Sequence, residues 1–264
     1  MQLPTIDPVF LRLGPLEFRW YGLMYILGFL AAYLIIRQQA KKRNIDLSSE
    51  TISDIVFFIA MGIVLGGRSG YILFYNFAWY IAHPLKVFAV WEGGMSFHGG
   101  IIGGVIAGLY IVRKHSLGTW EMGDIIALTI PVGLGLGRLG NFINGELFGR
   151  VTNVSWGVIF PSGGNLPRHP SQLYEAFLEG LLLFIITYSV SRMNPPKSVA
   201  FWTVIGGYGL FRFIVEFFRE PDQQLGFLCG GATMGQILSL PMFALGMVMI
   251  VVAYYRRRKV NQAV

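Results

Sequence analysis

The sequence predicts an all-α integral membrane protein with about seven transmembrane helices, an N-terminus outside, a cytoplasmic C-terminus and a small extracytoplasmic cap loop. Three observations predict this fold. Hydrophobic residues make up 54% of the chain and charged residues only 13%, which is about half the charged fraction of a soluble domain. Several apolar runs approach the ~20 residues that span a bilayer. Basic residues follow every second run. A soluble all-helical protein with a large core is therefore disfavoured.

Seven apolar runs are the predicted transmembrane helices. They lie at 18–36, 52–75, 97–112, 122–143, 171–191, 199–218 and 234–255. The third run is short, and the fourth ends in a strongly polar segment. Aromatic residues gather at the ends of the runs, as expected of an interfacial belt; they are Trp20, Tyr21, Trp79, Tyr80, Trp91, Trp120, Tyr254 and Tyr255.

The basic residues predict the orientation. Twelve of the 21 Lys and Arg residues follow the first, third, fifth and seventh runs: Arg37, Lys41, Lys42, Arg43, Arg113, Lys114, Arg192, Lys197, Arg256, Arg257, Arg258 and Lys259. The positive-inside rule places these segments in the cytoplasm, so the N-terminus lies outside. The net charge of +7 is explained by this topology and by attraction to anionic lipids, and nucleic-acid binding is not expected.

One polytopic membrane domain is expected over residues 1–264, with an outward loop at about 143–170 as the cap. Cys229 is the single cysteine, so neither a disulfide framework nor a thiolate metal site is expected. The sequence also lacks a cluster of residues with metal-ligand spacing, and no metal or organic cofactor is expected.

The segment at 137–149, GRLGNFINGELFG, is the strongest indication of function. Polar side chains at membrane depth are costly and normally functional. Arg138 offers a planar fork suited to phosphate, and Asn141, three residues later, shares its helix face. Glu146 could orient Arg138 or a substrate hydroxyl. The alternative for Arg138 is a structural ion pair. Six glycines are expected to bend the backbone into an anion-binding concavity; they lie at 133, 135, 137, 140, 145 and 149.

His98 begins the third run at the predicted outer face. A histidine at a helix N-terminus meets the positive end of the macrodipole, which favours the neutral imidazole that can accept a proton. The alternative is an N-terminal cap beside a packing surface. The small residues that follow predict close helix packing; they are Gly99, Gly100, Gly103, Gly104, Ala107 and Gly108.

Other charged residues also lie inside the apolar runs. Arg212 and Glu216 form an i, i+4 pair in the sixth run. A pair that ties helices together is one interpretation, and a half-neutralised arginine that holds a phosphodiester is the other. Arg68 is interpreted as structural, and so are Glu179 and Asp124, as lone acids nearer the cytoplasmic side.

Taken together, these motifs resemble the bacterial prolipoprotein diacylglyceryl transferase family along nearly the whole chain. The family signature matches GRLGNFINGELFG at 137–149. Four further motifs match in order: FHGG at 97–100, LPRHPSQLYE at 166–175, FRFIVEFFREPD at 211–222 and MGQILSLPM at 234–242.

The resemblance implies a multi-pass enzyme of the bacterial cytoplasmic (inner) membrane, with its active site towards the extracytoplasmic face. It would move the diacylglyceryl group of phosphatidylglycerol to the lipobox cysteine of a prolipoprotein signal peptide, in contact with membrane lipids. Sn-glycerol 1-phosphate would be released. The catalytic residues carried over are His98, Arg138, Asn141, Glu146 and Arg212. Substrate binding is carried over to Arg138, Arg212, Glu216, Tyr21 and Gly149.

A membrane transporter of an anionic lipid or solute is the alternative function, since broken helices and buried arginines also serve anion transport. A transporter predicts polar groups through the whole membrane depth and an inverted repeat. Here the polar groups concentrate near one predicted face, and the halves do not resemble each other. An intramembrane protease would need a GxSxG-like turn or paired acids within the spans, and the sequence suggests neither.

Overall fold

The computed structural model describes residues 6–14, 16–90, 93–220, 228 and 231–262. Trp91 and Cys229 lie outside the described residues. The chain divides into two compact units, residues 36–122 and residues 1–35 with 123–264. The described chain is mostly helical, which confirms the predicted fold class. Helix α1 (Trp20–Lys42) and helix α5 (Thr119–Ala127) each run across a boundary between the units.

The unit at 36–122 is built on two helices, α2 (Ser49–Tyr75) and α4 (Phe97–Lys114). Between them lie the short helix α3 (Phe77–Ala82) and a 3₁₀ turn (Pro84–Phe88). A Cβ at Gly66 or Gly103 would collide with the backbone of the facing helix. The predicted close packing of the small residues is therefore confirmed, and α2 supplies the glycines that match them.

Arg68 organises the segment between these helices, as its structural interpretation predicted. The side chain is buried, and its guanidinium donates to the carbonyl oxygens of Val87 at 2.9 Å and Ala89 at 3.1 Å. It also donates to three further carbonyls, those of Lys86, Gly93 and Gly94. Backbone carbonyls thus satisfy a cation that would be costly inside a membrane helix.

The other unit begins with a β-hairpin, which the sequence did not predict. Strands β1 (Val9–Leu13) and β2 (Leu16–Arg19) pair antiparallel, with Arg12 opposite Glu17. Its remaining helices are α6 (Thr129–Ile143), α7 (Ser171–Glu175), a π-helical segment (Ala176–Leu182), α8 (Leu183–Arg192), α9 (Val199–Val215) and α10 (Met234–Gln262).

Asp124 fixes the start of α9. Its carboxylate accepts from the backbone N–H groups of Ser198 at 2.8 Å and Phe201 at 2.9 Å. An acidic group at this position satisfies orphan donors and complements the helix dipole. The structural interpretation of Asp124 is therefore confirmed. Leu183 of α8 and Val204 and Phe211 of α9 form a buried apolar cluster nearby with Ala127.

Each of the seven apolar runs corresponds to helical structure in the described chain. Five helical stretches are long and apolar enough to cross a membrane: Trp20–Lys42, Ser49–Tyr75, Thr119–Ile143, Ser171–Arg192 and Met234–Gln262. Helix α9 is a shorter apolar helix. The chain is a multi-pass membrane protein; the number of seven spans, the orientation and a single domain over 1–264 stay predictions.

Candidate active site

Glu175 is the centre of a buried charge cluster. Its carboxylate has no exposed surface. Arg212 and Arg219 donate to its Oε1 at 2.5 and 3.0 Å, and Nε of Arg138 lies 2.9 Å from Oε2. Three guanidinium groups from separate parts of the unit thus meet on one carboxylate. The structure brings together the two arginines that the sequence predicted to bind phosphate.

Two more glutamates complete the cluster. Oε2 of Glu216 lies 2.9 Å from Nη2 of Arg212, so the predicted i, i+4 pair is formed. Glu179 is fully buried and lies 3.9 Å from Arg138 and 4.0 Å from Arg212. The side chains of Arg138 and Arg212 keep 17% and 15% of their surface exposed, whereas Glu175 and Glu179 keep none. The arginines are therefore the members that an anion can reach.

A π-helical segment positions the two central glutamates. Glu175 immediately precedes Ala176–Leu182, and Glu179 lies within it. Such π-turns are rare and occur often at functional sites. A Cβ on Gly180 would lie 2.7 Å from Cα of Gly135 in α6. The close approach of these two backbones lets Glu175 reach Arg138 of α6.

The signature segment forms a helix and then a tight turn. Helix α6 continues to Ile143, so the first four of the six glycines expected to permit a bend lie within a helix. The chain reverses after it, at Gly145 and Leu147, which have φ of 66° and 57°. The interpretation of Glu146 as a partner of Arg138 is wrong. Oε1 of Glu146 accepts from Nδ2 of Asn141 at 2.9 Å, and Glu175 orients Arg138 instead.

Gly149 is required for a close approach between backbones. Its φ is not positive, so the role expected for Gly149 in a bend is wrong. Its N–H donates to the carbonyl of His169 at 2.8 Å, and the next N–H, of Arg150, donates to the carbonyl of Phe218 at 2.9 Å. A Cβ on Gly149 would collide with both of these carbonyl oxygens. The signature segment is thereby joined to Arg219, which reaches Glu175.

The cap loop is held by side chains that the sequence analysis did not single out. Arg168 donates to the carbonyl of Gly149 at 3.2 Å and pairs with Glu220 at 2.9 Å. Nδ1 of His169 lies 3.2 Å from the hydroxyl of Tyr174. Partial burial lowers the pKa of His169 below the ordinary histidine value, because burial disfavours the charged imidazolium.

Tyr21 and His98 lie in different units. Tyr21, at the start of α1, packs its ring over Gly140 of α6, where a Cβ would approach the ring to 2.9 Å. His98 is exposed in the first turn of α4. The suggestion that His98 caps this helix is wrong, because the Ser96 hydroxyl accepts from the N–H of Gly99. His98 therefore has an imidazole that the cap does not use.

Sequence reasoning missed three members of the cluster. Glu175 and Arg219 were quoted only within motifs, and Glu179 was interpreted as a lone acid although it faces two arginines. The statement that no paired acids lie within the spans is also wrong, since Glu175 and Glu179 contact the same arginines. The available signal was two acids at i, i+4 spacing in an apolar run. Within the described ranges, no group of three or more His, Cys, Asp or Glu side chains is arranged to hold a metal ion.

Comparison with known proteins gives consistent matches over nearly the whole chain. The family model described as prolipoprotein diacylglyceryl transferase matches residues 8–252. A relative from Geobacter sulfurreducens, named phosphatidylglycerol–prolipoprotein diacylglyceryl transferase, is 63% identical over 99% of this chain and 100% of its own. Relatives with the same name from Vibrio atlanticus and Glaesserella parasuis are 50% and 51% identical, covering 97% and 99% of this chain and 94% and 98% of theirs.

Proposed function

Because this chain belongs to the prolipoprotein diacylglyceryl transferase family, we propose that it transfers the diacylglyceryl group of phosphatidylglycerol to the thiol of a lipobox cysteine in a prolipoprotein. The product is a thioether, and sn-glycerol 1-phosphate is released. This transfer is the first step of lipoprotein maturation. The family is one of transferases, which disfavours the transporter considered from the sequence.

The meeting of Arg138 and Arg212 on Glu175 is the observation that carries this proposal. Both guanidinium groups are held by ion pairs to buried carboxylates and keep exposed surface. A cation in this position is already oriented before an anion arrives, so little reorganisation is needed on binding. Planar forks match phosphate oxygens in pairs, which a lysine ammonium does not do. The pair is therefore suited to a phosphodiester headgroup.

The chemistry of the reaction uses the same two arginines. The thiolate attacks the methylene of the diacylglyceryl group that carries the phosphate. A carbon–sulfur bond forms, and the bond between that carbon and the phosphate oxygen breaks. The phosphate ester changes from a monoanionic diester towards a dianionic monoester. Negative charge therefore grows on the phosphate in the transition state, and Arg138 and Arg212 stabilise that state more than the ground state. The nucleophile belongs to the substrate, so the reaction uses no cysteine of this chain.

Five further residues help to position the headgroup, some directly and some through Arg212 or the backbone. Asn141 and Glu146 are joined by a hydrogen bond of 2.9 Å, which presents an amide and a carboxylate to the glycerol hydroxyls. Tyr21 packs over α6 beside them, and Glu216 orients Arg212. Gly149 acts through the backbone, since it lets the signature segment lie against Phe218 and His169.

His98 is the proposed base. A thiol with a pKa near 8.5 is mostly protonated at neutral pH, so a proton acceptor raises the fraction of thiolate. The exposed imidazole at the start of α4 is a side chain of the right type for this step. The reaction as written requires neither a metal nor an organic cofactor.

The proposed site of action is the outer face of the bacterial cytoplasmic membrane. Apolar helices support a multi-pass membrane location. Basic residues gather in the segments after alternate helices, and the positive-inside rule assigns those segments to the cytoplasm. Arg138, Asn141 and the cap loop then belong to the opposite face, where a secreted precursor would present its lipobox.

The test is transfer by the purified protein. The chain in detergent micelles is incubated with phosphatidylglycerol and a synthetic lipobox peptide, and mass spectrometry measures the mass added to cysteine. We expect a diacylglyceryl adduct together with released glycerol phosphate. A peptide with serine in place of the cysteine and a reaction with phosphatidylethanolamine are the controls. Absence of any adduct on the cysteine peptide would overturn the proposal.

A further inference from the structure

Glu179 differs from the other two glutamates of the cluster. Both of its carboxylate oxygens are buried and have no hydrogen-bond partner within the described part of the chain. The guanidinium nitrogens that face it, from Arg138 and Arg212, stay 3.9 and 4.0 Å away. The same two arginines contact Glu175 at 2.9 and 2.5 Å. Both arginines therefore lie closer to Glu175, to which Arg212 also donates a hydrogen bond, and Glu179 is left without a donor.

A carboxylate in this position is unfavourable in its charged form. Burial removes the water that hydrates the ion, and without hydrogen-bond donors the protein does not compensate for that loss. A second carboxylate on the same cations adds repulsion, and Glu175 has the shorter contacts. The usual outcome for such a group is to bind a proton, because a neutral carboxyl group loses far less free energy on burial.

We propose that Glu179 carries a proton in the resting protein, and that this proton keeps the arginine cluster one unit more positive for binding a phosphodiester monoanion. The inference rests on the proposed function. Arg138, Arg212 and Arg219 supply three positive charges, and Glu175 and Glu216 offset two of them. With Glu179 neutral, the six groups retain one positive charge. With Glu179 ionised, they retain none.

The neighbours of Glu179 leave this difference unchanged. Arg138 faces it from α6, and Arg212 and the phenol of Tyr208 face it from α9. Glu175 and Arg219 complete its electrostatic surroundings. Whatever the charges of these groups, one proton on Glu179 raises the total by one. Glu179 is therefore a positioning residue that acts through Arg138 and Arg212 without touching the lipid.

The experiment compares Glu179→Gln with Glu175→Gln. The two positions lie four residues apart, are equally buried and receive the same isosteric change. Glutamine mimics a protonated carboxyl group, so Glu179→Gln should keep the wild-type melting temperature at neutral pH and remain an active transferase. Glu175→Gln releases three guanidinium groups and should lower kcat/KM by roughly 10²-fold, as expected for small displacements of a catalytic group.

The dependence of KM on pH distinguishes this role from a merely structural one. As the pH rises, wild-type Glu179 loses its proton, and the KM for phosphatidylglycerol should rise. Glu179→Gln has no proton to lose, so its KM should stay low over the same range. Wild-type and variant KM values that rise together would overturn the inference. A Glu179→Gln protein that is inactive or does not fold would also overturn it, since a neutral isostere must replace a neutral carboxyl group.

Infrared spectroscopy separates this inference from the proposed function, because it needs no turnover. Wild-type protein should show a protonated-carboxyl C=O band that shifts in D₂O and is missing in Glu179→Gln. Identical bands in wild type and Glu179→Gln would refute the protonated state even if transfer is normal. A band lost in Glu179→Gln supports it even if neither protein transfers lipid to the peptide.

Discussion

Gly149→Ala tests how the signature segment is joined to the charge cluster. An alanine Cβ would lie 2.8 Å from both the Cβ and the carbonyl oxygen of His169, and closer still to the carbonyl oxygen of Phe218. Backbone atoms cannot rotate away as side chains do, so two segments must move by several tenths of an ångström. Overpacking of this kind costs about 1–3 kcal/mol.

The movement would also weaken or break two backbone hydrogen bonds. The N–H groups of Gly149 and Arg150 donate to the carbonyls of His169 and Phe218 at 2.8 and 2.9 Å. Each bond contributes about 1 kcal/mol, so the total cost reaches about 3–5 kcal/mol if both break. Arg219 follows Phe218 and contacts Glu175. A displacement of Phe218 would therefore also move Arg219 and disturb the arginines that share Glu175. We expect the rate of transfer to fall roughly 10²-fold.

The assay measures diacylglyceryl transfer to a lipobox peptide together with thermal unfolding in detergent. Gly133→Ala in α6 is the matched control, since no described heavy atom lies within 4 Å of the Cβ it would add. That variant should keep its activity and gain about 0.5–1 kcal/mol of stability from helix propensity. A Gly149→Ala protein with wild-type rate and melting temperature would refute the close-approach argument.

Further predictions concern individual side chains. Arg138→Lys and Arg212→Lys keep the charge but lose the planar fork, so kcat/KM should fall roughly 10²–10³-fold with the protein still folded. Near-normal turnover in both variants would contradict the binding of phosphate by the planar forks. His98→Gln should lower the rate with a defect that shrinks above about pH 8.5, where the thiol ionises unaided, and a pH-independent defect would make His98 a positioning residue. Asn141→Ala should abolish most transfer without loss of folded protein, because Glu146 loses the shorter of its hydrogen bonds; retained activity would contradict the role of Asn141 at the headgroup. Burial lowers the pKa of His169, so the unfolded state binds more protons below about pH 6.5 and wild-type stability should fall there; His169→Gln should flatten this fall, and equal melting curves across pH 5–7 would contradict it.

The helices were predictable from the sequence because membrane helices leave a local signal. A run of about 20 apolar residues is sufficient to identify a span, and the predicted run at 52–75 became Ser49–Tyr75. The hairpin at the N-terminus leaves no such signal. Its strands have only five and four residues, and their pairing depends on contacts between separate segments. Helix α3 was missed for the same reason, since six residues are too few for a periodic pattern.

Within the candidate site, isolated polar residues were predictable and their partners were not. Arg138 and Arg212 stood out because an arginine inside an apolar run is costly. Their common partner Glu175 did not, because it lies at the very start of a run where an acid is unremarkable. The sequence also suggested Glu146 as the partner of Arg138, eight residues away; the close approach of Gly135 and Gly180 brings Glu175 to it instead.

By itself, the sequence determined that this is an all-α membrane protein and which rare polar side chains interrupt its apolar helices. These properties follow from composition and from spacing along one segment. Only the tertiary structure decided that three arginines share Glu175, that Gly149 permits contact between two backbones, and that Glu179 is left without a donor. Ion pairing and close packing depend on distances between segments far apart in the chain, and those distances are set when the helices pack.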